Sequence, residues 1–322
     1  MNMRTVTVIL VILILLGAVY GITLYQKAAR TNEYVAALDG DDTAAVIKAA
    51  DALSAAGHSV VPRLADKLSS PDPQIRSRAV IIIGSSGRAD DSALLLPLLD
   101  GGDDRFVRRD VAVALGKLGG DGVVVALNKA MTTDEEDIIV RAAAATALGD
   151  LGASENAHKL AEILTTPPAS ATDRPGDVTP EMPETEEPPQ DIAIPLRMAA
   201  AQALGRLDTA EGIEALAQAT LELNEPSERV RTAATYALGD LAVGNHDTEQ
   251  LAAIIRGLLG AAEDTVGDVR IAGIQALGKL ATIPQDLKSE VSAVLERADG
   301  DDHYWVREAA RDAIDNLGPL DI

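Results

Sequence analysis

The chain has 322 residues, 28 basic against 50 acidic, a formal net charge of −22 and no cysteine. The missing cysteines exclude disulfides and a cysteine nucleophile. Beyond Asn32 the acidic balance excludes a body that draws nucleic-acid phosphates or anionic headgroups, and 2% aromatics leave few large side chains for a globular core.

Taken in chain order, the first element is residues 5–25, TVTVILVILILLGAVYGITLY, a run of 21 residues without a charge. At about 1.5 Å per residue a helix of that length matches the ~30 Å core of a bilayer. A cleaved signal peptide is the competing reading, but its apolar region is usually about 7–15 residues and ends in a small-x-small site. Here the small residues Gly17, Ala18 and Gly21 are interrupted by Val19 and Tyr20. The run therefore predicts an uncleaved transmembrane signal anchor, with Tyr20 and Tyr25 as interfacial aromatics, after a tail of residues 1–4 and before a linker of residues 26–42. No Cys follows it, which excludes a lipoprotein. Arg4 on one flank and Lys27 and Arg30 on the other nearly balance. A very short leading tail commonly stays in the cytoplasm, so the rest of the chain is expected outside it, periplasmic in a two-membrane bacterium.

From Thr43 on, repetition dominates. VRRDVAVALGKLG begins at Val107, VRAAAATALGDLG at Val140, LRMAAAQALGRL at Leu196, VRTAATYALGDL at Val230 and VRIAGIQALGKL at Val269. IRSRAVIIIGSSG at Ile75 is a looser copy and VREAARDAIDNLG at Val306 a degraded one. Their arginines are Arg76, Arg108, Arg141, Arg197, Arg231, Arg270 and Arg307, at steps of 32, 33, 56, 34, 39 and 37 residues. Small or apolar residues three, six and seven places after the arginine mark one helical face. The eighth place is Gly in six copies (Gly84, Gly116, Gly149, Gly205, Gly239, Gly278). A helical Gly costs about 1 kcal/mol relative to Ala, so its recurrence predicts close helix-to-helix approach. A second Gly three residues later (Gly87, Gly119, Gly152, Gly318) suits a left-handed C-cap.

A further helical segment precedes each phrase: SALLLPLLD from Ser92, GVVVALNKAM from Gly122, Ala153 to Leu164, EGIEALAQATLEL from Glu211 and TEQLAAIIRGLLG from Thr248. Each unit reads as helix A, a turn and helix B, and such hairpins bury their apolar faces only by stacking. The stretch from Thr43 to Gly57 is helical without the phrase and is expected to cover the N-terminal face. Asp315 replaces the Gly in the last copy, beside Glu308, Arg311 and Asp312, which reads as a soluble terminal cap.

The VRxxAxxALGxLG phrase resembles the HEAT-repeat family, in particular the short HEAT-like repeats of the phycobilisome-lyase type. The resemblance covers roughly Thr43 to Gly318. It implies an all-α fold, an α-solenoid superhelix of about seven hairpins over residues 43–318 whose B helices line a concave side, with residues 319–322 a tail. It is specific for the fold and weak for function, because such arrays mostly act as interaction surfaces.

The 56-residue step contains TPPASATDRPGDVTPEMPETEEPPQ, Thr166 to Gln190, with seven of the 15 prolines and six acids. Its composition predicts an extended or disordered loop. A tolerated insertion, a docking peptide and a flap over one face all fit it. All three charged residues before Asn32 are basic, so the remainder has 25 basic against 50 acidic residues. Solubility or a salty habitat accounts for that excess, and so does a basic partner.

Chemistry-bearing motifs are missing. His58, His158, His246 and His303 are followed by Ser, Lys, Asp and Tyr, so the His-Glu pairs of iron-holding HEAT hydroxylases do not occur, and no metal or cofactor is expected. There is no GxSxG, phosphate loop or dinucleotide fingerprint. The runs LDGDDT from Leu38 and ADGDD from Ala298 lack EF-hand spacing. Acids in the turns, such as Asp72 before Pro73, are expected to be N-caps. The seven phrase arginines are expected to form an intramolecular ladder, each stem packed between repeats and each guanidinium on an acid or carbonyl. Phe106, Tyr236, Tyr304 and Trp305 are the candidate interface anchors, with core packing the competing reading of each. The expected protein is thus a non-catalytic, membrane-anchored scaffold for a partner protein, with no nucleic acid and no metal. A lyase-like enzymatic member of the group and a self-associating spacer are the alternatives.

Overall fold

The computed structural model describes the backbone of residues 3–100, 102–134, 136–166, 193–221 and 223–318, and the side chains of these except 3–14 and 17. Among the described residues all regular structure is helical. The chain divides into two compact units, Met1–Asp121 and Gly122–Ile322.

The first unit begins with a 35-residue helix, α1 (Met3–Ala37), which returns on α2 (Thr43–Ala55). A short α3 (Val61–Leu64) between two 3-10 turns precedes α4 (Pro73–Ser86), and α5 (Ser92–Asp100) precedes α6 (Arg105–Leu118). These are three hairpins, with α2, α4 and α6 side by side. The second unit holds five more: α7 (Val123–Thr132) with α8 (Ile138–Asp150), α9 (Ala157–Thr165) with α10 (Ile194–Leu207), α11 (Ala210–Ala219) with α12 (Glu228–Leu241), α13 (Thr248–Ala262) with α14 (Gly267–Leu277), and α15 (Lys288–Asp299) with α16 (Tyr304–Leu317). Each unit is a solenoid stack, and the second helices α4, α6, α8, α10, α12, α14 and α16 carry the phrase.

Two expectations change. Residues 26–37, read as part of a linker, continue α1 and pack on α2. α2 is accordingly the second helix of an eighth hairpin among the described residues, rather than a lone cover. Its sequence holds a worn copy of the phrase, with Ala49, Ala52 and Leu53 at the buried places, Val46 where the arginine belongs and Ser54 where the glycine belongs. The backbone of the uncharged run is helical within α1, while the side chains of residues 5–14 and 17 lie outside the described set. Among the described residues no helix is long and apolar enough to cross a membrane. The Pro-rich stretch also falls outside, at residues 167–192. The α9–α10 hairpin that carries it packs like its neighbours.

The turn acids start the helices. Asp42, Asp72, Asp104, Asp137 and Asp247 each accept a backbone N–H of the first turn from the N-cap position, as Asp72 does from Gln74 at 2.8 Å. Each bond satisfies one donor that the helix itself cannot, and the carboxylate also sits at the positive end of the helix dipole.

The phrase glycine fits its expected purpose. A Cβ on Gly84 would lie 2.6 Å from Cβ of Ala114, one on Gly149 2.7 Å from Cα of Ala203, and one on Gly278 2.8 Å from Cα of Ala313. Gly205 and Gly239 approach Ala237 and Ala276 in the same way. In each case the eighth residue after one arginine meets the sixth after the next, so a Gly-on-Ala contact sets the spacing between successive second helices. The second glycine has a positive φ in three of its four copies, 64°, 66° and 65° at Gly119, Gly152 and Gly318, but ψ of −154° and −168° at Gly119 and Gly318 puts those two in an extended glycine conformation rather than the expected left-handed helical cap. Gly87 departs from the expectation with φ −76° and ψ −175°. There a Cβ would meet the carbonyl of Ile83 at 2.7 Å, so the residue is needed for close approach instead.

Candidate interaction surface on the second helices

Two sets of residues on the second helices carry the repeat's polar chemistry: the arginines at their first turn, and the rows facing away from the partner helix.

The arginines reach forward. Arg76 donates to Asp103 from Nε at 3.0 and 3.1 Å and from Nη2 at 2.5 Å. Arg197 pairs with Glu225 at 2.5 Å, Arg231 with Asp264 at 2.6 and 3.0 Å, and Arg270 with Asp301 at 2.9 and 3.1 Å. Every acid in this set lies in the turn of the following hairpin, five or six residues before that hairpin's own arginine. Its backbone carbonyl then accepts from that arginine: Asp264 O takes Nη1 of Arg270 at 2.9 Å, and Asp301 O takes Nη1 of Arg307 at 2.7 Å. One turn residue thus joins two successive guanidiniums, one through its carboxylate and one through its carbonyl. The fork of five donors on a guanidinium is what permits this. Arg108 reaches the carbonyl of Asp103, and Arg141 the carbonyl of Met131 with Asp134 at 3.3 Å. At the worn first copy, where Val46 holds the arginine position, Arg78 of the next hairpin donates to the carbonyls of Leu38 and Gly40 at 2.5 and 3.1 Å.

Burial varies along this ladder. The side chains of Arg231 and Asp264 are 2% and 1% exposed, whereas Asp134 beside Arg141 is 90% exposed. Asp301 shows the balance of forces: burial pushes its carboxyl up, but the backbone N–H of His303 and the Arg270 guanidinium outweigh this and hold it below the ordinary carboxylate value. Most donors of these guanidiniums are therefore used within the ladder.

The outward rows lie five and nine places after the arginine. The fifth place is Ile81 and Val113 in the first unit, and Thr146, Gln202, Tyr236, Gln275 and Asp312 in the second. Ile81, Val113 and Tyr236 are 50%, 42% and 57% exposed. The ninth is Ser85, Lys117, Asp150, Arg206, Asp240 and Lys279, all exposed. Arg206 and Asp150 approach to 3.3 Å, so part of this row pairs between hairpins.

All four candidate aromatics are exposed rather than in the core. The guanidiniums of Arg105 and Arg109 lie over the Phe106 ring, 5.0 and 5.5 Å from its centre. Tyr236 borders a groove of about 430 Å³ with Met198, Thr232 and Ile271 from α10, α12 and α14, and Glu228, Arg229 and Asp268 at its rim. Tyr304 and Trp305 stack edge to face at 5.0 Å at the start of α16. Phe106 belongs to the first unit, and within the second Tyr236 stands two hairpins before Tyr304 and Trp305.

Reasoning from sequence missed the exposed Ile81 and Val113 and the acids Asp103, Glu225, Asp264 and Asp301 as ladder partners. An acid five or six residues before a phrase arginine was the available signal. No three His, Cys, Asp or Glu come together as a metal-ligand group among the described residues.

Helical hairpins with close Gly-on-Ala spacing, an internal arginine ladder and an outward row on the second helices define a helical repeat solenoid. The family models agree: HEAT repeats match residues 31–116 and 104–174, and the PBS lyase HEAT-like repeat matches residues 196–222. The chain belongs to the HEAT-repeat family. The match from residue 31 takes in the end of α1, consistent with the eighth hairpin. No curated protein matches the chain. Among solved structures it is similar to human deoxyhypusine hydroxylase (18% identity, 92% of this chain and 98% of that one, TM-score 0.38). It is also similar to a designed armadillo repeat protein (18%, 80% and 100%, 0.39) and to Kap95p in a structure concerning RanGDP (15%, 81% and 34%, 0.49). These likenesses concern the fold alone.

Proposed function

We propose that this chain is a membrane-anchored, non-catalytic HEAT-repeat scaffold that binds a partner protein through the exposed face of its second helices. The observation that carries this reading is the contrast between the two polar sets. The arginines are paired within the ladder, while the apolar and aromatic side chains of Ile81, Val113, Tyr236 and Trp305 are held outward on packed helices. A preformed face loses little conformational entropy on binding. The uncharged run of residues 5–25 supports the anchor; an extracytoplasmic, periplasmic repeat region is proposed with it, although the flanking charges of Arg4 against Lys27 and Arg30 nearly balance. Phe106, Tyr236, Tyr304 and Trp305 are the proposed anchors of the contact.

The test is crosslinking from native membranes with the tagged full-length chain. It is run beside Ile81→Ser with Val113→Ser, beside Tyr236→Ser, and beside a copy lacking residues 167–189. Retention of the chain in the membrane after alkaline extraction, together with a protein crosslink that the serine variants lose while keeping their helical circular dichroism, is the expected result. A crosslink lost only on deletion of residues 167–189, or no crosslink at all, overturns the helix-face reading. Protease protection in intact cells and spheroplasts checks the orientation.

A further inference from the structure

α1 runs unbroken from the uncharged segment into the first hairpin, so no slack separates them. α2 returns antiparallel along it and brings Leu53 and Ala56 opposite residues 23–34 of α1. Between the two helices is a cleft of about 340 Å³ whose polar lining includes Lys27, Arg30, Thr31 and Tyr34. Lys27 and Arg30 are one helical turn apart and share a face. No carboxylate lines the cleft, and neither cation has an ion pair among the described residues. That is unusual in this chain, where acids outnumber bases two to one beyond Asn32 and the ladder arginines Arg76, Arg197, Arg231 and Arg270 are each held by a carboxylate.

The lining offers the Lys27 ammonium, the Arg30 guanidinium and the Tyr34 hydroxyl over a small apolar wall of Leu53 and Ala56, while the Thr31 hydroxyl donates to the carbonyl of Lys27 at 3.0 Å. Such donors suit phosphate oxygens. The position suits a particular source of them. Lys27 follows Tyr25, the last residue of the uncharged run, by two places, or about 3 Å of helix rise. If that run spans the bilayer, as proposed above, Lys27 and Arg30 stand at headgroup level. We propose that the cleft between α1 and α2 binds the headgroup phosphate of an anionic membrane lipid, seating the first hairpin directly on the membrane surface.

This inference rests on the anchor reading, and the test separates the two. The full-length chain is purified in detergent and titrated with phosphatidylglycerol, with phosphatidylcholine and with inorganic phosphate, and bound species are counted by native mass spectrometry. Phosphatidylglycerol is expected to bind in preference to phosphatidylcholine. Lys27→Gln with Arg30→Gln should weaken it about thirtyfold, from roughly tenfold or less for each cation. Arg63→Gln, a cation outside the cleft whose guanidinium is on the carbonyl of Ser59, should leave it unchanged. Equal binding of the two lipids, an unaffected double variant, or displacement of lipid by millimolar phosphate overturns the proposal. Release of the wild-type chain from native membranes by alkaline extraction removes the anchor reading itself. Retention there with no lipid preference removes only the cleft.

Discussion

Arg231 and Asp264 lie 33 residues apart and meet through two hydrogen bonds of 2.6 and 3.0 Å, both side chains nearly excluded from water. The same Asp264 offers its backbone carbonyl to Arg270. A buried pair of this kind contributes modestly relative to an apolar replacement, but removing one partner strands a buried charge. Asp264→Ala is therefore expected to cost about 3–5 kcal/mol. Asp134→Ala, which removes an exposed partner of Arg141, should change stability by less than about 1 kcal/mol. Urea unfolding of the full chain followed by circular dichroism measures both, and equal effects would show that burial does not set the strength of the ladder.

The Gly-on-Ala spacing makes a second prediction. Gly149→Ala improves intrinsic helix propensity by about 1 kcal/mol. It also places a methyl 2.7 Å from the Cα of Ala203, a backbone atom that cannot step aside. The net effect is expected to be destabilising, by about 1–3 kcal/mol from overpacking. Ala203→Gly in the same chain should restore part of the loss, and thermal unfolding of the single and double variants gives the coupling. A stabilised single variant would refute the close approach.

His158 lies 2.6 Å from Glu211, a contact between α9 and α11. The hydrogen bond to Glu211, then its charge, and more weakly Glu162, raise the pKa of His158 above its ordinary value. The folded value is raised, so the stabilisation is fully present below the unfolded value and is lost as pH rises through the folded one. Proton NMR titration of the four histidines is expected to show His158 titrating high and to return it toward the ordinary value in Glu211→Gln. No difference between the two proteins would remove the pair.

Trp305 is the sole tryptophan and is 64% exposed. Its emission is expected to resemble that of tryptophan in water and to be quenched readily by acrylamide. Trp305→Ala should shift stability by no more than about 0.5 kcal/mol, as for other surface changes. A blue-shifted, protected signal in the isolated chain would place Trp305 in a core.

Much of the fold was legible because it is periodic. A stripe of Ala and Leu closing on Gly states which face of a helix is buried and that another helix approaches it closely, and the pairs Gly84–Ala114 and Gly149–Ala203 confirm that meaning. The first hairpin escaped the eye because Val46 and Ser54 replace the two most distinctive letters while Ala49, Ala52 and Leu53 keep the buried ones. The candidate surface was less legible. Phe106, Tyr236, Tyr304 and Trp305 stand out by rarity, yet rarity is silent on whether an aromatic faces a core or solvent.

The sequence by itself determined the hairpin, its repeat and the places where helices touch, because each depends on residues a few positions apart. Only the tertiary structure decided which acid each arginine meets, that residues 26–37 are helix packed on α2, and that Ile81, Val113 and the aromatics face outward. Those outcomes depend on the offset between successive hairpins. That offset is set by how closely a glycine on one helix lets the alanine of the next approach, a distance no single repeat contains.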